Sequence, residues 1–368
     1  MPVGPRQRGL GLVGPQPHLA GEAPVPRRVA VASSGGRDST ALLHCTVRQT
    51  HALGIEVLAL HVNHGLMPQA DAWLAHVRAQ ARRWGAGFDS RRLGGAPAAG
   101  DSIEAWARRG RYAALAEMAQ EASCDLLLLA HHRRDQAETV LLQALRGAGA
   151  AGLAAMPGAA RRDGITWARP WLHLPREAIE AYVRRHRLRH VDDPSNADDA
   201  LTRSRLRRQV WPALAAAFPQ AEAGLRHTAL RVADERTLLD EVAAADFATV
   251  AVAVDAMATG GASAAVDSLA LSRLSHPRQR HALRLWLRQV QPLPVPETLV
   301  RRLVDELPHT AHAGWPGPQG KVLLRRGRLA WEAGPTEGAE ATEASEAAEN
   351  AAIDVTSSVA PGRAAVAD

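Results

Sequence analysis

Residues 29–44 read VAVASSGGRDSTALLH and carry the strongest fold signal in the sequence. A short apolar run leads directly into two glycines and then into a segment with helical periodicity. This pattern predicts a strand that ends in a tight loop and enters a helix. In an open parallel sheet, ligands bind at the carboxyl ends of the strands, so residues 34–39 are a candidate ligand loop.

The composition of this loop suits a phosphate group. Its glycines permit close approach of the backbone, its serines add hydroxyl donors, and the helix start presents unpaired N–H groups. Lys321 is the only lysine of the chain, which excludes a lysine-dependent phosphate loop. Asp38 would repel phosphate unless a divalent cation lay between them, so we expect Mg²⁺ beside it. The alternative is a plain turn in which Asp38 is a first-turn acid of the helix.

Short apolar runs and helical periods alternate beyond the loop, which predicts a doubly wound parallel α/β sheet. The predicted strands are residues 29–33, 56–62, 88–93 and 125–132, and the predicted helices begin near 38, 70, 102, 135 and 175. A smaller, mainly helical and arginine-rich unit follows, with helices at 221–247, 277–290 and 296–306 and a hairpin at 321–331. We expect a flexible leader (1–26), a sheet domain (27–215), the smaller domain (216–333) and a disordered acidic tail (334–368).

The charge distribution favours a polyanionic partner. The net charge is +6, yet residues 332–368 carry eight acidic residues against one arginine, so the positive excess belongs to residues 1–331. In the smaller domain, arginines accompany Trp286 and Trp331, a combination that suits phosphate contacts and base stacking, although any surface helix can look similar.

The two cysteines, Cys45 and Cys124, form no CxxC pair, which argues against a disulfide framework or a cysteine zinc site. No run of 18 apolar residues is present, and the N-terminal segment is unlike a secretory signal. We therefore expect a soluble, cytoplasmic protein with no membrane partner. The oligomeric state is left open, a homodimer included.

The segment SGGRDS (34–39) resembles the SGGxDS signature of the PP-loop ATP pyrophosphatases. That resemblance implies ATP binding, adenylylation of a substrate oxygen and release of pyrophosphate. Further segments resemble the tRNA(Ile)-lysidine synthetases in order and spacing over roughly residues 29–250: HVNHGL (61–66), IEAWARRGRY (103–112), AHHRRDQAETVLLQALRGAGAAGLAAM (130–156), RPWL (169–172), DDPSN (192–196) and TRSRLR (202–207).

The resemblance implies a ligase that uses Mg²⁺ and ATP to adenylylate the C2 oxygen of the wobble cytidine in the CAU anticodon of tRNA(Ile). Free L-lysine then displaces AMP, and the lysidine formed reads AUA in place of AUG. The implied site residues are as follows: catalytic, Asp38, Arg111, Asp135 and Glu138; ATP-binding, Ser34, Gly35, Gly36, Arg37, Asp38, Ser39, His61 and His131; lysine-binding, Asp135 and Glu138; tRNA-binding, Asp193, Asn196, Arg203 and Arg207; and metal-binding, Asp38.

The residues themselves support several of these assignments and leave alternatives. Asp135 and Glu138 are three apart and share a helix face, where they suit an ammonium group or a metal, or simply the helix dipole. Four histidines cluster at strand ends (His61, His64, His131 and His132), but no carboxylate or cysteine stands at metal-ligand spacing, so hydrogen bonding is favoured over zinc. Arg203 and Arg207 are four apart and would point the same way, toward phosphate or a base.

The chain also departs from the family pattern. Arg134 stands where the family usually has the first acid of HHxDDQ, Ser204 replaces an asparagine, and His190 replaces a tryptophan. Three rival functions stay open: a tRNA thiolase of the same superfamily, a small-molecule PP-loop synthetase, and a non-catalytic RNA-binding relative whose nucleotide site has decayed.

Overall fold

The computed structural model describes residues 27–65, 67–95, 103–192, 202–253, 264–291, 293 and 295–334. The predicted leader (1–26) and residues 335–368 of the predicted tail lie outside this part. Within it, no helix is long and apolar enough to cross a membrane.

Six strands form the first sheet, in the order β3-β2-β1-β4-β6-β5. Their bounds are β1 Arg28–Ala32, β2 Glu56–Asn63, β3 Gly87–Arg92, β4 Leu126–Leu128, β5 Ala159–Arg162 and β6 Ile165–Ala168. All neighbours pair in parallel except β5, which is antiparallel to β6. The strand order reverses between β1 and β4, and this reversal opens a crevice at their carboxyl ends.

Helices cover both faces of this sheet. The sequence predicted five of them, α1 Arg37–Thr50, α2 Ala70–Trp84, α3 Ile103–Glu121, α4 Arg133–Leu145 and α6 Arg176–His186, but not the short α5 Ala150–Leu153. Successive side chains of a strand point to opposite faces. Ala30 therefore joins the apolar core under α3, whereas Val31 joins the core under α1 and α6. This two-sided burial explains why the strands read as continuous apolar runs.

A continuous helical segment, residues 202–217, follows the sheet. It comprises α7 Thr202–Arg205, a π-helical turn Leu206–Val210 and α8 Trp211–Ala217. In the π turn, the Trp211 N–H bonds to the Leu206 carbonyl. Pro212 explains the turn, because a proline inside a helix has no N–H to donate and its ring clashes with the carbonyl four residues earlier.

The long helix α9 (Ala221–Val250) connects the two domains. It has 30 residues, so it spans about 45 Å. It packs on α4 and α5 in the sheet domain and on α11 (His276–Val290) in the smaller domain. The helix that packs on α4 of the sheet domain is therefore the same helix that packs on the smaller domain.

The smaller domain contains α10 Ser268–Ser272, α11 and α12 Glu297–Glu306, packed against a five-stranded antiparallel sheet of order β7-β8-β11-β10-β9. The strands are β7 Ala251–Ala253, β8 Ala264–Asp267, β9 Ala313–Gly317, β10 Gly320–Arg325 and β11 Arg328–Ala333. The predicted helices and the β10–β11 hairpin are confirmed. The other three strands were not predicted, since they are short and rich in alanine or glycine.

Trp286 and Trp331 lie in the core of this domain, with 0% and 4% of their surfaces exposed. Trp286 donates its indole N–H to the Ala264 carbonyl at 3.0 Å. The expectation that these two rings stack on RNA bases is therefore wrong. Their large apolar area instead holds α11 and the sheet together.

Candidate active site

The loop after β1 has a backbone shape that requires glycine. Gly35 has φ +88°, and a Cβ built there would lie 3.1 Å from the side chains of Val77 and Val191. Gly36 caps α1 without any side-chain hydrogen bond to the first turn. The Gly36 N–H donates to the Ser34 hydroxyl at 3.3 Å. The N–H groups of the first turn that follows form no hydrogen bond to a side chain of the described residues, so they are available to an anion.

The two loop serines lie together. The hydroxyl oxygens of Ser34 and Ser39 are 3.0 Å apart, and Ser39 donates to the Gly36 carbonyl at 3.1 Å. His61, at the end of β2, is buried, and its Nδ1 lies 2.8 Å from the Ser33 carbonyl, which accepts the hydrogen bond. Burial lowers the pKa of His61, so the ring is neutral and supports the loop through the backbone.

Asp38 is ionised and has cationic neighbours. Burial raises its pKa, but hydrogen bonds from His132 and Arg37 outweigh burial and lower the pKa to about 2. Arg37 donates to both Asp38 oxygens, at 2.8 and 3.2 Å, and also to Glu180 of α6 at 2.6 Å. The Arg37 guanidinium, assigned to ATP by resemblance, thus lies between two carboxylates.

His132 lies between Asp38 and Asp135. Its Nε2 is 3.7 Å from an Asp38 oxygen and its Nδ1 is 3.5 Å from an Asp135 oxygen. Burial lowers the pKa of His132, but the hydrogen bond to Asp38 and the charge of Asp135 outweigh burial and raise it. His132 belongs to the histidine cluster that the sequence predicts at the strand ends, but no role was predicted for it. Its position after β4 was the available signal.

Asp135 and Glu138 share one face of α4, as their spacing predicted. Arg207 donates from Nη2 to Asp135 at 2.7 Å and from Nε to Glu138 at 2.8 Å. Arg203 Nε lies 3.2 Å from the other Glu138 oxygen. Glu138 has no exposed surface, and Asp135 also accepts the His132 backbone N–H at 2.9 Å. Burial raises the pKa of Asp135, but the nearby charges, first His132 and then Arg203, lower it overall.

The two predicted tRNA-facing arginines therefore contact the two predicted lysine-binding acids. Arg203 also donates to the Thr139 hydroxyl at 2.8 Å, and it belongs to α7, whereas Arg207 belongs to the π turn. The other two residues assigned to tRNA, Asp193 and Asn196, lie outside the described residues.

A second, cationic cluster surrounds Tyr112 on α3. The guanidinium carbons of Arg108 and Arg111 lie 5.2 and 5.7 Å from the Tyr112 ring centre. The Tyr112 ring also stacks on Trp167 at 5.2 Å. Burial raises the pKa of Tyr112, but the charges of Arg108, then Arg169, then Arg111 lower it to about 8. Such a concentration of positive charge suits an anionic ligand.

His131 lies between this cluster and the two carboxylates of Asp135 and Glu138, called the acid pair below. Burial, followed by the positive charge of Arg169, holds the pKa of His131 well below its usual value, while the charge of Asp135 opposes the shift. The ring is therefore neutral, and its Nδ1 has no hydrogen-bond partner within the described part of the chain. Among the same residues, no group of three or more histidine, cysteine, aspartate or glutamate side chains is placed to hold a metal ion.

Two family models match the chain: a PP-loop domain over residues 17–214 and a TilS substrate binding domain over residues 269–330. The tRNA(Ile)-lysidine synthase of Ralstonia nicotianae is 48% identical, over 70% of this chain and 54% of that protein. The enzyme of that name from Burkholderia mallei is 41% identical over 88% and 65%, and that from Bordetella parapertussis is 38% identical over 83% and 90%.

This chain belongs to the tRNA(Ile)-lysidine synthase family. The resemblance found in the sequence is confirmed, and the PP-loop model implies the use of ATP. The chain spans about half to two thirds of the length of the Ralstonia and Burkholderia relatives, and nine tenths of the Bordetella relative.

The structure explains how this member of the lysidine synthase family accommodates Arg134. Its Nε donates to Glu222 of α9 at 2.8 Å, and its guanidinium carbon lies 4.3 Å from the ring centre of Trp211. Arg133 donates to the other Glu222 oxygen at 2.7 Å. Arg134 therefore ties α4 to α8 and α9, and Asp135 keeps its own partners.

Replacement of Gly35 by alanine tests the loop geometry. The Cβ would force the loop away from Val77 and Val191 and would strain a positive φ, so we expect at least a tenfold loss of ATP affinity in a fluorescent-nucleotide titration. Gly54→Ala is the matched control, because Gly54 also has positive φ (+65°) but no atom within 4 Å of its Cβ. Equal ATP affinity in both variants would show that the loop does not hold the nucleotide.

Replacement of Glu222 by glutamine tests the contact between α4 and α9. Loss of its two charged hydrogen bonds should lower the free energy of unfolding by about 2 kcal/mol, as measured by denaturant titration. Burial raises the pKa of Glu222, but hydrogen bonds from Arg133 and Arg134 lower it overall, so this stability is present above pH 4.5 and is lost as the pH falls further.

The difference in the free energy of unfolding between Glu222→Gln and wild type should therefore shrink below pH 4.5. Glu235→Gln, an exposed acid on the same helix, should match wild type at every pH. A Glu222 variant as stable as the Glu235 variant at pH 7 would contradict this role.

Proposed function

We propose that this chain joins free L-lysine to C2 of the wobble cytidine in the CAU anticodon of tRNA(Ile), through an adenylylated tRNA, so that the anticodon reads AUA in place of AUG. One observation carries the proposal: His132 lies within 3.7 Å of Asp38 on the phosphate loop and within 3.5 Å of Asp135 in the acid pair. A loop for a nucleotide and a buried acid pair for an ammonium group therefore share one edge of the sheet. The similar proteins named tRNA(Ile)-lysidine synthase agree with this activity.

In the first step, the C2 oxygen of the cytidine attacks the α-phosphorus of ATP. A bond forms between that oxygen and the phosphorus, the bond from the α-phosphorus to the bridging oxygen breaks, and pyrophosphate leaves. The N–H groups at the start of α1 and the hydroxyls of Ser34 and Ser39 hold the phosphates. Arg111, with Arg108 beside it, offsets the negative charge that accumulates on the transferred group.

The residues present fit a bound Mg²⁺. Asp38 is ionised, its side chain is 29% exposed, and it adjoins the loop hydroxyls, so it offers the hard oxygen ligand that Mg²⁺ prefers beside phosphate oxygens. When bound there, Mg²⁺ supplies charge neutralisation for the pyrophosphate.

In the second step, Asp135 and Glu138 hold the side-chain amino group of lysine against C2. The amine, having lost a proton to the acid pair, forms a bond to C2, and the bond from C2 to the adenylylated oxygen breaks, so AMP leaves. Holding the two reactants in this orientation supplies much of the acceleration. The substrates are tRNA, ATP and free lysine, so we place the activity in the cytoplasm.

We propose residues 27–215 as the catalytic domain and residues 216–333 as a domain that binds tRNA. Several arginines of the smaller domain are paired with acids, among them Arg278 with Asp246 and Arg302 with Glu306. The tip of the β10–β11 hairpin carries three arginines that form no ion pair within the described residues: Arg325, Arg326 and Arg328. This tip is the best supported phosphate contact of the domain.

The rival functions have weaker support. A thiolase that uses a cysteine pair needs two neighbouring thiols, but Cys45 and Cys124 pack on opposite faces of the sheet, and burial raises the pKa of both. Arg134 was the one residue that favoured a decayed enzyme, but its ion pair with Glu222 gives it a structural role. A small-molecule synthetase offers no reason for the basic second domain.

The decisive test is incorporation of radiolabelled lysine into tRNA(Ile) bearing a CAU anticodon, with ATP and Mg²⁺, beside methionine tRNA bearing the same anticodon. We expect labelling of the isoleucine tRNA only. Asp38→Asn should reduce labelling and adenylylation of the tRNA together by at least a hundredfold, since it acts in the first step. Glu138→Gln should preserve adenylylation and raise the lysine concentration needed. Wild-type protein that binds this tRNA but incorporates no lysine would refute the proposal.

A further inference from the structure

The acid pair already has the cationic partners that a lysine substrate would supply. Arg207 donates to one oxygen of Asp135 at 2.7 Å and to one oxygen of Glu138 at 2.8 Å. Arg203 lies 3.2 Å from the remaining Glu138 oxygen, and His132 lies 3.5 Å from the remaining Asp135 oxygen. Each of the four carboxylate oxygens therefore faces a positive or hydrogen-bonding group.

Charge balance argues that a lysine ammonium cannot simply be added. Two carboxylates lie against two guanidinium groups, those of Arg203 and Arg207, so the charges of this cluster already balance. A further cation placed beside Glu138, which has no exposed surface, would be a third positive charge for two carboxylates, although one Glu138 oxygen accepts no hydrogen bond within the described residues. Buried charges are stable only when they are paired, so one of the resident cations must leave as the ammonium enters.

Arg207 is the resident cation best able to leave. Its side chain is 36% exposed, against 24% for Arg203, which is also bound to the Thr139 hydroxyl and the Asp135 carbonyl. Arg207 lies in the π turn, whereas Arg203 lies in regular helix. A guanidinium released there would need a new partner, and a phosphate of RNA offers the same two-oxygen geometry as the acids.

We propose that Arg207 is an intramolecular stand-in for the substrate ammonium: lysine occupies the acid pair by displacing this guanidinium, and an RNA phosphate that takes up Arg207 opens the pair. The inference rests on the proposed lysine ligase function and adds a coupling between its two substrates. Because such coupling is reciprocal, tRNA tightens lysine binding and lysine tightens tRNA binding. Lysine is thereby recruited when the tRNA that will receive it is in place.

The test is equilibrium dialysis of the full chain with radiolabelled L-lysine, with and without a tRNA(Ile) transcript bearing the CAU anticodon. ATP is omitted so that nothing reacts. For wild type we expect the lysine Kd to fall by about tenfold when the tRNA is added, within the usual range of coupling between sites. Equal lysine affinity with and without tRNA would overturn the proposal, and this wild-type measurement requires no variant to fold.

Arg207→Gln identifies the residue responsible. The variant should bind lysine without tRNA about as tightly as wild type does with tRNA, and added tRNA should change its lysine Kd less than twofold. Arg205→Gln removes the same charge from an exposed position in the same helical segment, and it should keep the wild-type coupling. Arg207→Lys keeps a competing cation and should retain part of the coupling, so it replaces the glutamine variant if circular dichroism shows that the latter is unfolded.

The failure of this inference differs from the failure of the proposed function. Wild-type lysine incorporation together with unchanged coupling in Arg207→Gln would reject the stand-in role and leave the ligase intact. If neither wild type nor any variant binds lysine in the presence of tRNA, and wild type incorporates no lysine when ATP is added, both this inference and the proposed function are rejected.

Discussion

Two carboxylates buried at the amino end of α4 impose the constraint on which this site depends. Asp135 and Glu138 are stable as anions only because positive groups converge on them from the rest of the domain. His132 arrives from the end of β4, and two arginines arrive from the helical segment 202–217. The amino end of α4 adds its own positive dipole. Residues 202–217 thus pack on the sheet domain in large part because the acid pair needs the positive charges that they carry.

The same constraint joins the acid pair to the nucleotide loop. The strand order reverses between β1 and β4, so the loop after β1 and the start of α4 open into one crevice. His132 lies across that crevice, next to Asp38 on one side and Asp135 on the other. The proposed site for phosphate and the proposed site for an ammonium group consequently share His132 as a neighbour, which is the arrangement that a two-step transfer through an adenylylated intermediate needs.

Much of this architecture could be predicted from the sequence, because the signals are local. The apolar runs of β1, β2 and β4, the loop at residues 34–39 and the three-residue spacing of Asp135 and Glu138 are each read within one turn or one strand. The contact of Arg207 with Asp135 could not be predicted, because it joins residues 72 positions apart and depends on how the helical segment packs. The role of Arg134 was hidden for the same reason, since Glu222 lies 88 positions away. The stacking role predicted for Trp286 and Trp331 was wrong, because a segment that mixes tryptophans with arginines can form either a core or an RNA-binding surface.

We propose the acid pair on α4 as the lysine site, and a crystal structure of the protein soaked with L-lysine is the most direct test. We expect the lysine Nζ within hydrogen-bonding distance of both Asp135 and Glu138, with the Arg207 guanidinium turned away from them. Lysine bound elsewhere, with Arg207 still donating to both carboxylates, would show that the acid pair is not the lysine site.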